Sequence, residues 1–441
     1  MSNNQAIQLG RIDWVTVGLY LFFVFFGWMN IYSAAFDPMQ PNLFDFDKEY
    51  GRQSLWILIS FTLAVLTLLV EGDFFNKLAI FIYAFFILLL MLVLVIGKEV
   101  NGAKAWFGVG SFGIQPSEFS KIGVGLLLSK YISSSGAKFK NWKTRLIAAA
   151  IIGFPACLIL LQPDVGSVLT FTAFIFVMYR EGLSGNVLII GLGAIVFGVL
   201  SIISGATSVD FPIAGEQSGV WVLIIIVALI SILSWIFVKN FVVPRNRKTL
   251  YWIIAISSVT SIAFSLSVSY IVEKVLETHH RERIYVMLSM PVEREGADYN
   301  SQMAKITVGS GGFFGKGFLE GPMTQNNYVP EQWTDFIFSA VAEEWGFVGS
   351  LLVIGLFVYL IIRIINMAER QRSQFSRVYG YCVASIFFLH LLINVGMVIG
   401  LAPIIGIPLP FFSFGGSSLM GFTLLLFIFL RLDSERLSIF R

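Results

Sequence analysis

Residues 14–34 read WVTVGLYLFFVFFGWMNIYSA, twenty-one positions without Asp, Glu, Lys, Arg or His. A helix rises 1.5 Å per residue, so this run is about 30 Å long, the thickness of a bilayer's hydrocarbon core. It is too long for the apolar centre of a signal peptide and no clear cleavage site follows, so it reads as a first membrane span. The rest of the chain repeats the message. Of 441 residues, 56% are hydrophobic and only 13% charged, and 43 are Phe. Mean hydropathy is +0.80. No soluble domain needs so much apolar surface, and the composition predicts an all-α polytopic membrane protein.

Membrane-length apolar runs lie near 14–34, 53–70, 75–97, 114–132, 145–161, 165–180, 186–205, 218–243, 250–275, 335–364, 378–401 and 408–431, twelve in all. Lysine and arginine in short loops set orientation. With the N-terminus in the cytoplasm, the inner loops hold Lys138, Lys140, Lys143 and Arg145, then Arg180, then Lys239, Arg245, Arg247 and Lys248, then Arg370, Arg372 and Arg377. The tail adds Arg431, Arg436 and Arg441, while the short outer loops near 206–217 and 402–408 have neither residue type. Both termini are therefore expected inside. The basic loops read as ordinary membrane anchoring, and no nucleic-acid partner is indicated.

One interruption is too long and too polar to be a simple connection. About 273–335 carries Arg281, Arg283, Glu293, Glu295, Asp298, Lys305, Lys316, Glu331 and Asp335, with the glycine run Gly309-Ser310-Gly311-Gly312. Orientation places it outside the cytoplasm, which excludes direct use of cytosolic nucleotide. Loops of this kind on a helical scaffold carry function. Five glycines within Gly309–Gly317 permit either a tight turn or a close approach of backbone N–H groups to an anion, with Lys316 as an added charge. The block Pro330-Glu331-Gln332-Trp333-Thr334-Asp335 leads into a span that contains Glu343-Glu344. Carboxylates inside spans are expensive and are paired or functional. Neighbours on a helix point to different faces, so at least one caps a buried polar network.

Three further motifs sit at span ends. Asp164, in Gln162-Pro163-Asp164-Val165-Gly166-Ser167, suits a helix N-cap. Gln115-Pro116-Ser117-Glu118 suits a helix start, with Lys121 on the next turn. Asn394-Val395-Gly396-Met397, Gly400-Leu401-Ala402-Pro403 and Gly406–Ser418 break a span, and such breaks survive only in protein or beside a wet cavity. Cys157 and Cys382 lie in apolar runs and read as small core residues, and adjacent His279 and His280 make no zinc motif. From residues alone, three classes remain open: an enzyme, a transporter or lipid flippase, and a scaffold.

In sequence order, Gly102–Trp106, Gln115–Glu118, Gln162–Ser167, Arg281–Arg283, Gly309–Gly317, Pro330–Phe338 and Asn394–Ser418 resemble the SEDS family (shape, elongation, division and sporulation) of membrane glycosyltransferases that polymerise peptidoglycan. Gly-Lys-Gly after the glycine run and the Pro-Glu-x-x-Thr-Asp-Phe-Ile-Phe block are more similar to its elongation members than to its division members. The resemblance implies a single integral-membrane domain over 1–441. It implies lipid II and a growing glycan strand as substrates, and a class B penicillin-binding protein transpeptidase as partner. It implies the bacterial plasma membrane as location. Counting back from Tyr299, it assigns the catalytic acid to Glu293, where the family usually has Asp followed by Pro; Arg294 follows here, and Asp298 and Glu295 stay as alternatives. The expected substrate contacts are Arg281, Arg283, Lys316, Lys104 and Trp106 at the charged and aromatic positions. Glu118, Lys121, Asp164, Gln302, Glu331, Thr334, Asp335, Glu343, Asn394, Ser413 and Ser417 complete the set. Lys104 stands beside Ala105, where the family often has Arg. A divalent cation (Mg or Mn) is a candidate bridge for the pyrophosphate, although no motif marks one. Since the family typically has ten spans, residues 206–249 read as a two-helix insertion.

Overall fold

The computed structural model describes residues 11–36, 45–100, 103–109, 112–134, 139–211, 215–275, 281, 285, 295–402 and 404–437. Each of the twelve apolar runs is helical over most of its length, although 408–415 is not. The helices are α1 Trp14–Ala34, α2 Glu49–Leu69, α3 Gly72–Ile96, α4 Pro116–Ser133, α5 Trp142–Leu160, α6 Val165–Thr170, α7 Ala173–Arg180, α8 Gly185–Ala206, α9 Val220–Phe241, α10 Pro244–Tyr270, α11 Glu295–Ser310, α12 Pro322–Gln325, α13 Ile337–Glu369, α14 Gln374–Val398 and α15 Gly416–Ser434. Among the described residues, ten helices are long and apolar enough to cross a membrane. Two of the expected runs fall short of that test. The 165–180 run is split into α6 and α7, and α4 carries buried Ser117, Glu118, Ser120 and Lys121. Strands β1 Lys98–Val100, β2 Ala103–Val109 and β3 Phe112–Ile114 form an antiparallel meander between α3 and α4; β4 Ser208–Phe211 and β5 Gly215–Ser218 form a hairpin.

The chain separates into two compact units, residues 1–183 with 299–441, and residues 184–298. In the first unit, α15 is the central element: 94% of its span is buried, and it packs on α2, α3, α4 and α14. Lipid is as apolar as leucine, so packing and hydrogen bonds rather than apolar burial hold membrane helices together. The contacts here are of that kind. Tyr20 meets Phe411 and Phe427 edge-on at 5.2 and 5.0 Å, and its hydroxyl lies 3.2 Å from Thr423 Oγ1. A side chain at Gly27 would stand 2.7 Å from the Phe412 backbone, so α1 can approach that loop only through glycine. In the second unit, α9 and α10 meet through Ser231 and Ser258 hydroxyls 2.6 Å apart and through the stacked rings of Trp235 and Tyr251. Only 6% of each of its three spans is buried, which leaves broad apolar faces.

The two ends of the first unit differ in charge. At the end where α1 begins, arginines pair with acids: Arg363 with Asp13, Arg370 and Arg436 with Asp433, Arg180 with Glu369, and Arg377 with Glu181. At the end where α1 finishes, Glu118, Asp164, Asp335, Glu343 and Glu344 collect. Asp13 caps α1 through the Thr16 N–H at 2.9 Å and takes a two-pronged contact from Arg363 at 2.9 and 2.8 Å. Burial alone would raise its pKa; the Arg363 and Thr16 donors outweigh burial and hold it below the ordinary 3.8. A carboxylate lowered on folding stabilises the fold at neutral pH and loses that contribution as pH falls through its folded value. Asp13→Asn is therefore expected to cost about 1 kcal/mol at pH 7, as loss of the ion pair with Arg363, since asparagine still caps the helix. The penalty should shrink below about pH 4. Thermal unfolding in detergent at the two pH values checks this; an equal penalty at both would remove the electrostatic account.

Candidate active site

The acidic end of the first unit is built on helix breaks. α13 is interrupted at Gly346, whose φ of 66° lies in the left-handed region. The glycine run fills the gap. Lys316 N–H and Gly317 N–H donate to the carbonyls of Glu343 and Glu344, while Phe347 and Val348 N–H donate to Gly312 and Phe313, each at 3.0–3.1 Å. A Cβ at Gly315, itself at φ 87°, would sit 2.1 Å from the Glu344 carbonyl. The glycines thus serve close backbone pairing with α13. The N–H groups of Lys316 and Gly317 are taken by α13 and are not available to cradle an anion, although the Lys316 side chain is exposed.

Glu343 and Glu344 are 0% and 1% exposed. Glu343 accepts from Met323 N–H (3.0 Å), Thr324 N–H (2.8 Å), the Thr324 hydroxyl (2.6 Å) and the Ser310 hydroxyl (3.0 Å). Glu344 accepts from the Ser33 hydroxyl and from Leu319 N–H. The adjacent carboxylates do diverge, as helix geometry requires, but both end inside protein and hold the 319–324 segment between α1 and α13. Neither has a cation partner among the described residues. Buried Gln332 completes the fastening by donating to the carbonyls of Ala34 and Thr324 and to Asn327, each at 2.8 Å.

The broken span is fixed by α14. Asn394 donates to the Asp335 carbonyl at 2.9 Å and the Ile407 carbonyl at 2.7 Å. Phe414 N–H donates to the Trp333 carbonyl and Gly415 N–H to Gln53. The Ser413 hydroxyl accepts from Leu409 N–H at 2.8 Å, and the Ser417 hydroxyl accepts from Gln115 N–H at 2.9 Å. Gln115 donates to Asp164 at 2.8 Å, and Asp164 also caps α6 through Ser167 N–H. The Asp335 carboxylate lies against Gly406, where a Cβ would be 3.1 Å from Oδ2. The structure thus gathers Asp164, Asp335, Asn394, Ser413, Ser417, Glu343 and Glu344 at one end of one unit.

Residues 13–213 and 220–437 match the family model of FtsW, RodA and SpoVE, described as cell cycle protein. The chain belongs to this family. It is 33% identical to the peptidoglycan glycosyltransferase RodA of Treponema pallidum, over 84% of this chain and 86% of that one. It is 30% identical to the peptidoglycan glycosyltransferase MrdB of Escherichia coli K12, over 77% and 73%. Among solved structures, a chain of a peptidoglycan synthase complex superposes with a TM-score of 0.65 at 26% identity, covering 97% of this chain and 99% of that chain. Thermus thermophilus RodA gives 0.58 at 25%, covering 98% and 100%.

Against that family background, the remaining expected positions divide. Lys121 and Glu118 are 0% and 4% exposed and form a 2.8 Å ion pair inside the bundle, so they act from the interior rather than from a surface open to substrate. Lys104 donates to the Val95 carbonyl, and Trp106 packs over Gly113. Glu331 and Thr334 close a turn on each other. Gln302 lies on the exposed side of α11, which Glu295 and Asp298 open. Arg281 belongs to the second unit and is half-buried. Glu293 and Arg283 lie outside the described residues. Gln53 and His390 carry no local signal beyond a polar side chain in an apolar run, while Gln332 stands in the quoted Pro330–Asp335 block without having been singled out.

Proposed function

We propose that this chain polymerises lipid II into β-1,4-linked glycan at the outer face of the bacterial plasma membrane, releasing undecaprenyl diphosphate, in wall elongation and cell-shape maintenance. The carrying observation is a match to peptidoglycan glycosyltransferases that spans most of both chains. The chemistry suits the architecture. A polyprenyl tail needs an enzyme made of spans. The diphosphate leaving group carries its own activation, so no nucleotide is required. Orientation follows the positive-inside rule: the arginine-rich end of the first unit faces the cytoplasm and the carboxylate-rich end faces out, with both termini inside.

In the reaction, the 4-hydroxyl of the acceptor GlcNAc attacks the anomeric carbon of the donor sugar. A C–O bond forms, the bond to the diphosphate breaks, and a base takes the hydroxyl proton. Attack from the face opposite the leaving group inverts the carbon. Glu293 is the base in this reading, with Asp298 or Glu295 as alternatives, and Arg281 and Arg283 offer bidentate phosphate contacts. Lys316, with its exposed side chain, is a further cation for the diphosphate. Among the described residues no three His, Cys, Asp or Glu side chains converge into a metal-binding set, and no step is assigned to a metal. A class B penicillin-binding protein is the expected partner, and residues 1–441 act as one membrane domain; among the described residues, 206–249 holds one complete helix, α9, rather than the expected pair.

The test is purified protein in detergent with lipid II, alone and with its transpeptidase. Glycan polymer is expected. Detergent has no second compartment, so polymer favours the enzyme over a flippase. Persistent absence of polymer in both preparations would defeat the reading.

A further inference from the structure

Lys121, Glu118 and His390 form a buried polar chain that the reaction above does not use. We propose that His390 is a positioning residue. Held as a neutral imidazole with its proton on Nδ1 by the Lys121 ammonium, it clamps the Pro408 carbonyl and so sets the wall of the site beside Asp335.

Donors and acceptors fix the tautomer. Lys121 Nζ, fully buried, lies 2.8 Å from Glu118 Oε2, 3.1 Å from His390 Nε2 and 5.0 Å over the Phe422 ring. An ammonium can only donate. Nε2 must therefore present its lone pair, and a neutral ring then carries its proton on Nδ1. Nδ1 lies 3.0 Å from the Pro408 carbonyl oxygen, which can only accept. The ring is also pinned edge-on against Phe422, with centroids 4.7 Å apart. One helical turn later, Asn394 donates to the Ile407 carbonyl. Two side chains of α14 thus grip consecutive carbonyls of the broken span. Gly406, just before them, is the residue against which the Asp335 carboxylate rests. The buried ion pair acts on the site through the imidazole, without touching substrate.

This inference rests on the proposed polymerase reading, and the experiment separates the two. Nitrogen-15 histidine NMR of the protein in lipid, with His390→Gln to assign the signal, should show a neutral ring protonated at Nδ1; Lys121→Met should lose that single tautomer. In the lipid II assay, His390→Leu should lower kcat by up to about 10²-fold with KM little changed, the size expected when reacting groups are misplaced by about 1 Å. His390→Gln should restore most of the rate, because its amide can accept from Lys121 and donate to Pro408. A ring protonated at Nε2 or at both nitrogens overturns the proposal. So does His390→Leu polymerising at the wild-type rate. Should His390→Leu not fold, the tautomer and the Gln variant still decide. If the wild-type protein makes no polymer, the polymerase reading falls while the NMR result judges the clamp alone.

Discussion

Glu293→Gln is expected to cut polymer synthesis by about 10²–10⁴-fold, the usual worth of a positioned general base. Glutamine keeps the size of the side chain and removes its ability to take a proton. The loss should fall on kcat, since proton removal belongs to the transition state rather than to lipid binding. Thermal unfolding of the variant, measured beside wild type, tells lost chemistry from lost folding. The comparison that assigns the role is Asp298→Asn and Glu295→Gln, each expected to retain activity within a few-fold. Native-rate polymerisation by folded Glu293→Gln, with loss in one of the other two, would move the base to that residue and leave the reaction class intact.

The second large effect is on stability. Glu343→Ala strips the acceptor from two backbone N–H groups and two hydroxyls at a site with no exposure. Hydroxyls can turn to other acceptors, so the two backbone N–H groups set the scale: at about 1–3 kcal/mol for each stranded buried donor, a total near 2–6 kcal/mol is expected. The damage should be local first. Residues 319–325 are fastened to α13 chiefly through Glu343 and Glu344, so protease cleavage there should rise before the bundle melts. Glu343→Gln keeps one acceptor oxygen but turns an NH2 against existing donors, and an intermediate loss is expected. Glu331→Ala is the control: that side chain is exposed, and its removal should cost little. Equal melting temperatures for Glu343→Ala and wild type would show that the four contacts do not hold the segment.

Periodicity and apolar length exposed the spans because a bilayer imposes a fixed length on every crossing helix, and because every backbone polar group there must be satisfied within the helix. The same logic marked Pro408, Pro410 and Gly406 as a break that needs support. It could not say what supplies the support. Asn394 and His390 lie on the right helix, yet which carbonyls they grip depends on how the loop folds back over α14. The glycine run shows the same limit. Its composition permitted an anion cradle or a turn, and only the pairing of residues 312–317 with 343–348 chose between them. The family resemblance made Lys121 a substrate contact; beside Glu118, one turn away, its partners are His390 on α14 and Phe422 on α15, far away in the chain.

Local chemistry controls the helical spans, the basic anchors, the helix start at Asp164 and the motifs that carry family membership, and these are legible along the chain. Which polar groups meet follows from packing instead. Glu343 finds its donors at Ser310 and at 323–324, and Lys121 finds its acceptor at His390, 269 positions away. Pairings of that reach follow from how helices pack in three dimensions, and no spacing along the chain encodes them.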